Sequence, residues 1–395
     1  MLNLVFTGSI DHGKSTLIGR VLYETNSLPE EKIEEVKNVC EKLGRRFEFA
    51  YILDALEEER EKQITIDTTQ IFFSWKGREF CIIDAPGHRE FLKNMLTGAS
   101  QADAAVLIVS AKEGVEEQTK RHALLLRLLG IEKIVVAINK MDAVNYAREA
   151  FERVKKEVED YLRSIGMEVK EAIPISAMEG DNIATPSENM PWYSGKTLLQ
   201  VLGEIEERKI SGEAFALPVQ DVYEKNGEKI CAGNIASGRI RKGECVLVLP
   251  EGREAKVKKI LAPAEIEEAS YPKAIGIVLE TAEVKRGNVI AARKNAVKIT
   301  ETLEANIFAL ANFTSGTYEF CCSTQKIPCG VEVLEKLDVN TLKPVPEKIL
   351  KNGDVAKVSI ALASPAVIGN FYKIPELGKF TLEKNSETVA GGILL

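Results

Sequence analysis

The stretch Gly8-Ser9-Ile10-Asp11-His12-Gly13-Lys14-Ser15 decides how the chain is read. The apolar run 2–7 feeds into it, and the helix-forming residues 16–22 follow. Its spacing is G-x-x-x-x-G-K-[ST] between a strand and a helix, the context in which consecutive backbone N–H groups wrap a phosphate chain at a helix N-terminus. Lys14 is expected to neutralise the β- and γ-phosphates, and the Ser15 hydroxyl to ligate Mg²⁺. Gly8, Ser9, Ile10, Asp11, His12, Gly13 and Thr16 complete the expected cradle.

Two more loops leave predicted strands. Asp84-Ala85-Pro86-Gly87 closes the run 79–84. There a carboxylate can reach a metal through water, and the Gly87 N–H can approach a γ-phosphate closely. By itself such a turn is ordinary chain punctuation. Asn139-Lys140-Met141-Asp142 ends the run 134–138 and sets a carboxylate on an exposed loop. That carboxylate can accept from the paired N1–H and N2–H₂ of guanine, a pair adenine lacks. Alone this too reads as a solvated turn. The order phosphate loop, Asp-x-x-Gly, Asn-Lys-x-Asp, each after a predicted strand, marks a GTPase with GTP and Mg²⁺ as ligands. Ser176-Ala177-Met178, leaving the run 172–176, resembles the final guanine-contacting loop of GTP-binding proteins.

The 395 residues amount to two or three domains at the usual ~150 residues each. Up to about residue 210, apolar runs at 2–7, 79–84, 104–110, 134–139 and 172–176 alternate with helical stretches. That alternation predicts an α/β P-loop domain, a mostly parallel sheet with helices on both faces. Beyond a charged stretch at 206–211, short Val/Ile-rich runs separated by glycine turns take over, at 230–240, 244–249, 255–260 and 274–279. Two β-barrels are expected there, giving domains 1–210, 211–297 and 298–395. With 45% hydrophobic and 28% charged residues, 14 prolines and 28 glycines, collagen-like, low-complexity and disordered classes are excluded. No apolar run approaches the ~20 residues of a membrane span, and the opening Met-Leu-Asn-Leu-Val-Phe has no basic region before an apolar signal segment. A cytoplasmic chain without membrane association is expected. Seven cysteines, an odd number, fit reduced thiols in that compartment, and the net charge of −7 offers no bulk attraction for nucleic acid.

Residues 57–67 (Glu-Glu-Glu-Arg-Glu-Lys-Gln-Ile-Thr-Ile-Asp), with Asp84-Ala85-Pro86-Gly87-His88 and Gly98-Ala99-Ser100-Gln101-Ala102-Asp103, resemble the translation-factor superfamily of GTPases, which includes elongation factors Tu and 1-alpha. The resemblance implies that Thr65 is a second hydroxyl ligand of Mg²⁺ and that His88 positions the hydrolytic water. The implied catalytic set is therefore Lys14, Thr65 and His88. Gln63 departs from the pattern, since these factors usually carry glycine there, and a φ > 0 would strain a glutamine. His12, inside the phosphate loop, is read as structural, and His122 as a helix-surface residue.

Within the superfamily, residues 179–183 and 190–199 look like both elongation factor 1-alpha and the GTPase subunit of heterodimeric ATP sulfurylase. The run Ala232-Gly233-Asn234-Ile235-Ala236-Ser237-Gly238-Arg239 is similar to the sulfurylase subunit, whereas residues 375–382 lean towards elongation factor 1-alpha. On the first resemblance the chain is expected to be the regulatory subunit of sulfate adenylyltransferase in sulfate assimilation. A small pyrophosphate-loop adenylyltransferase partner, in a heterodimer or larger assembly, would then make adenylyl sulfate from ATP and sulfate. This chain itself has no S-G-G-x-D-S loop for ATP. The alternative is an elongation factor delivering aminoacyl-tRNA to the ribosome, and a third reading is a GTPase switch for another protein partner. Cys321, Cys322 and Cys329 are expected to be buried free thiols, because vicinal residues on a strand face opposite ways and no C-x-x-C pair is present. Trp192 and Tyr193 are expected to anchor their loop by hydrophobic packing.

Overall fold

Residues 104–110 (Ala-Ala-Val-Leu-Ile-Val-Ser) are all buried, as a strand covered on both faces must be. The computed structural model describes residues 1–28, 31, 33–34, 49, 51, 69–84, 102–207, 214–225, 227–280, 283–293, 297–338 and 343–394. They divide into two units that part near residue 208. In the first, β1 (Leu2–Gly8), β2 (Thr69–Trp75), β3 (Arg78–Asp84), β4 (Ala104–Ser110), β5 (Ile134–Asn139) and β6 (Val169–Pro174) form one sheet in the order β2-β3-β1-β4-β5-β6. All neighbours run parallel except β2, which is antiparallel to β3.

Helices α1 (Lys14–Glu24), α2 (Glu117–Leu128), α3 (Arg148–Ser164) and α4 (Leu198–Gly203) cover this sheet. In α3 the apolar residues Phe151, Val154, Val158 and Leu162 recur at helical spacing and are buried, while Arg153 and Glu157 pair at i,i+4 on the wet side. Leu17, Ile18, Val21 and Leu22 of α1 pack with Leu4 and Phe6 of β1, Val106 of β4 and the α4 leucines. The glutamate before α2 and Thr119 form a reciprocal capping box at its start. His122 of that helix departs from the surface position expected: it is only 7% exposed, with Nε2 3.1 Å from Gln118 Nε2.

The edge strand β2 escapes a search for continuous apolar runs because its side chains alternate, with Ile71 and Phe73 buried and Gln70, Phe72 and Ser74 exposed. β6 likewise begins before its apolar end, since Lys170 and Glu171 on this other edge face water.

The second unit carries two β-barrels. One is built on an eight-stranded sheet from residues 216–292, and Ala216 bridges to Ser237 where the path would otherwise end. The run 230–240 holds two strands, Glu228–Asn234 and Arg239–Arg241, on either side of that bridge. The other barrel closes fully, because strand Gly316–Cys322 pairs with both Lys379–Lys384 and Gln325–Leu337. Ala216, Ala236, Leu249, Val289 and Ala291 of the first barrel share a buried cluster with Val367, Ile374 and Leu377 of the second. Cys322 and Cys329 are buried free thiols as expected, but Cys321, on the opposite face, is half-exposed. It sits beside Glu319 and Glu383, and the space between these carboxylates is taken by Lys326 Nζ, 3.4 and 3.1 Å from them. No described helix is long and apolar enough to cross a membrane.

Candidate nucleotide-binding site

The carboxyl ends of the parallel strands bring the predicted loops to one edge of the sheet. Phe6 of β1 lies in register with Asp84 of β3, Gly8 with Ile108 of β4, and Ser110 with Asn139 of β5. Open α/β sheets bind ligands outside these ends. Past Gly8 the chain makes one 3-10 turn, Ile10–His12, and enters α1 through Gly13 at φ 83°. An L-residue disfavours that conformation, and a Cβ on Gly13 would lie 2.6 Å from Asn139 Nδ2. Both Gly13 requirements follow from the sharp entry into the helix.

No side chain caps α1. The first turn of an α-helix has N–H groups without intrahelical partners, at the positive end of its dipole. Lys14, Ser15 and Thr16 occupy this turn half-buried. Just before it, the hydroxyls of Thr7 and Ser9 are buried without a hydrogen-bond partner. Buried hydroxyls normally find one, so uncapped N–H groups, orphan hydroxyls and a cation on Lys14 together fit a polyanionic ligand such as a phosphate chain.

His12 points away from this cradle. It is fully buried, with Nδ1 3.2 Å from the Ile108 carbonyl, the nitrogen there donating its proton. Nε2 lies 3.3 Å from Glu116 Oε2 without hydrogen-bond alignment. The imidazole thus pins the loop to β4, the structural part expected of it.

The two remaining loops are joined to the cradle by Asn139. Its Nδ2 donates to His12 O at 2.8 Å, and its Oδ1 accepts from Ala177 N at 2.9 Å. Lys140 follows at φ 62°, turning the chain so that Asp142 comes beside Ser176, whose hydroxyl donates to Asp142 Oδ1 at 2.6 Å. Glu179 N donates to the same hydroxyl at 3.2 Å, and Met178 at the loop tip is exposed. Phosphate loop, Asn139-Lys140-Met141-Asp142 and Ser176-Ala177-Met178 are therefore one constellation. The chain position of Asp84 is at the same edge, while Gln63, Thr65, Gly87, His88 and the Asp84 side chain lie outside the described residues.

A supporting layer lies behind these loops. Asn145 and Tyr146 both take positive φ, 52° and 56°, and Tyr146 O accepts from Trp192 Nε1 at 3.0 Å. The Trp192 ring lies 5.5 Å from Phe151 of α3, and Tyr193 packs on the sheet core, so both aromatics anchor their loop as expected. Burial, with the neighbouring Asp181 carboxylate, pushes the Tyr146 phenol up to about 12. Asp181 also accepts from Ser187 Oγ and, at 3.3 Å, from Asn189 Nδ2. A short Asx/Ser-rich stretch at 181–189 was the available signal, but nothing in its spacing names its partners.

Comparison with known proteins bears on the chain as a whole. The family described as "Elongation factor Tu GTP binding domain" matches residues 1–210, and "GTP-eEF1A C-terminal domain-like" matches residues 302–395. Elongation factor 1-alpha of Pyrococcus furiosus is 41% identical over 100% of this chain and 97% of its own length. That of Thermoplasma acidophilum is 40% identical over 99% of this chain and 96% of its length. A solved structure of sup35 complexed with GDP is 28% identical, covering 100% of this chain and 93% of that one, with a TM-score of 0.45.

These full-length relatives overturn the sulfate adenylyltransferase expectation, and with it the small adenylyltransferase partner and the role in sulfate assimilation. The structure supplies the reason that the run 232–239 misled. Ala236 belongs to the buried contact between barrels, and Ser237 Oγ donates to Ala214 O at 2.7 Å, so these two residues of the run serve barrel packing. With a GTP-binding domain matched over half its length and elongation-factor relatives matched throughout, the chain belongs to the elongation factor Tu/1-alpha family of translation-factor GTPases.

Proposed function

We propose that the chain acts as an elongation factor 1-alpha-type carrier: bound to GTP and Mg²⁺ it holds aminoacyl-tRNA, and on the ribosome it hydrolyses the GTP. The observation that carries this reading is the 41% identity to an elongation factor 1-alpha over an alignment that spans 100% of this chain, the barrels included. A shared GTPase domain alone would leave the cargo open, because the cargo of a switch protein is chosen outside the nucleotide site. The proposed division of labour is three domains, 1–210, 211–297 and 298–395.

In the nucleotide site, Gly8 to Thr16 cradle the phosphates through backbone N–H groups and Lys14. Ser15 and Thr65 would hold Mg²⁺ with their hydroxyls, with Asp84 as the third residue of that site. The ion would supply charge neutralisation to the phosphates. Gly87 offers its N–H to the γ-phosphate, and His88 orients the attacking water. Asp142 accepts from the guanine edge, Lys140 flanks the base, and Ser176, Ala177 and Met178 form the wall of the base pocket.

The test is the lability of the aminoacyl ester. The GTP form should slow ester hydrolysis of aminoacyl-tRNA several-fold, the GDP form should not, and ribosomes should accelerate GTP cleavage. A preparation that binds GTP, leaves the ester half-life unchanged and ignores ribosomes would refute the carrier reading.

A further inference from the structure

Helix α1 does more than present its N-terminus. Six residues after Lys14, the Arg20 side chain leaves the same helix towards the base loops and is only 16% exposed. Its Nη1 donates to Met178 O at 3.1 Å and its Nη2 to Glu179 O at 3.2 Å. Nε donates to Glu24 Oε1 at 2.8 Å, one turn further along. The guanidinium plane also lies over the Phe49 ring, 4.8 Å from its centroid. All three nitrogens and one face are thus engaged, a use of a planar fork that an ammonium cannot reproduce. The loop has made room for it: Gly180, at φ 89°, would carry a Cβ 1.9 Å from Arg20 Nη2.

From the guanidinium a short chain of bonds leads to the residue expected to read guanine. Glu179, held through its carbonyl by Arg20, donates its N–H to Ser176 Oγ at 3.2 Å, and Ser176 Oγ donates to Asp142 Oδ1 at 2.6 Å. We infer that Arg20 is a positioning residue for guanine selection, holding the 176–180 loop so that Ser176 keeps Asp142 aimed at the base. The inference rests on the guanine-site reading above. It makes α1 a strut with one end at the phosphates and the other under the base loop, so base selectivity depends on a residue that touches no part of the nucleotide.

The test compares GDP with IDP, whose base lacks the 2-amino group, on the full-length protein. Arg20→Met keeps the length and removes the fork. It should weaken GDP about tenfold and IDP about threefold, shrinking the IDP/GDP ratio of dissociation constants about threefold, the scale of losing charge-assisted hydrogen bonds at one remove. Arg20→Lys, which can reach one carbonyl, should restore part of the ratio. Glu24→Gln loosens the guanidinium without touching a core side chain and should move the ratio in the same direction by less. A general loosening of the domain would weaken both nucleotides by one factor. An unchanged IDP/GDP ratio in both Arg20→Met and Glu24→Gln therefore overturns the inference. If the unmodified protein itself fails to prefer GDP over IDP, the guanine-site reading is what fails.

Discussion

Replacing Asn139 by alanine removes the side chain that joins three loops of the proposed nucleotide site. Its amide is 2% exposed and makes two bonds, Nδ2 to His12 O at 2.8 Å and Ala177 N to Oδ1 at 2.9 Å. His12 and Ala177 are themselves buried, so water cannot replace the lost partners cheaply. Each buried carbonyl or N–H left unsatisfied costs about 1–3 kcal/mol, giving about 2–6 kcal/mol in all. Against a total of roughly 5–15 kcal/mol for a domain, that is a large loss. Both tryptophans of the chain, Trp75 and Trp192, lie in the first unit, so selectively excited tryptophan fluorescence during urea unfolding reports that unit by itself. Asn139→Ala should lower the midpoint accordingly and flatten the stabilisation that added GDP provides. Asn139→Asp should not rescue it, because an acceptor then faces the His12 carbonyl. A loss below about 0.5 kcal/mol, the range of an ordinary surface change, would refute the argument that this amide ties the loops together.

Three further outcomes are expected. Asp142→Asn should weaken GTP by about 10²- to 10⁴-fold and favour xanthosine triphosphate, whose C2 oxygen accepts from the new amide; an unchanged nucleotide preference in a binding titration would remove Asp142 from the base site. His88→Ala should keep GTP affinity within about threefold while lowering ribosome-stimulated turnover about 10²-fold or more, whereas Lys14→Ala should abolish tight binding. Wild-type turnover in His88→Ala would make that histidine structural.

The α/β domain, its phosphate loop and the order of its nucleotide loops could be read along the chain because each depends on local chemistry. A glycine-bounded loop between strand and helix, a carboxylate after a strand, and continuous apolar runs for doubly covered strands are short-range patterns. Edge strands broke that reading: β2 and the start of β6 face water on one side, and their alternation hides them among polar residues. The run 232–239 misled for a related reason, since residues that serve barrel closure and inter-barrel packing look, in one dimension, like a signature of function.

Tertiary structure alone decided which distant residues meet. Asn139 reaches back 127 positions to His12, Arg20 reaches 158 positions to Met178, and Trp192 donates to a carbonyl 46 residues earlier. Such pairings leave no periodicity, because parallel strands joined by helices set neighbours by sheet order and not by chain order. The sequence by itself determined what chemistry each loop could offer. The sheet, by gathering the carboxyl ends of β1, β3, β5 and β6 at one edge, decided that those loops would form a single site.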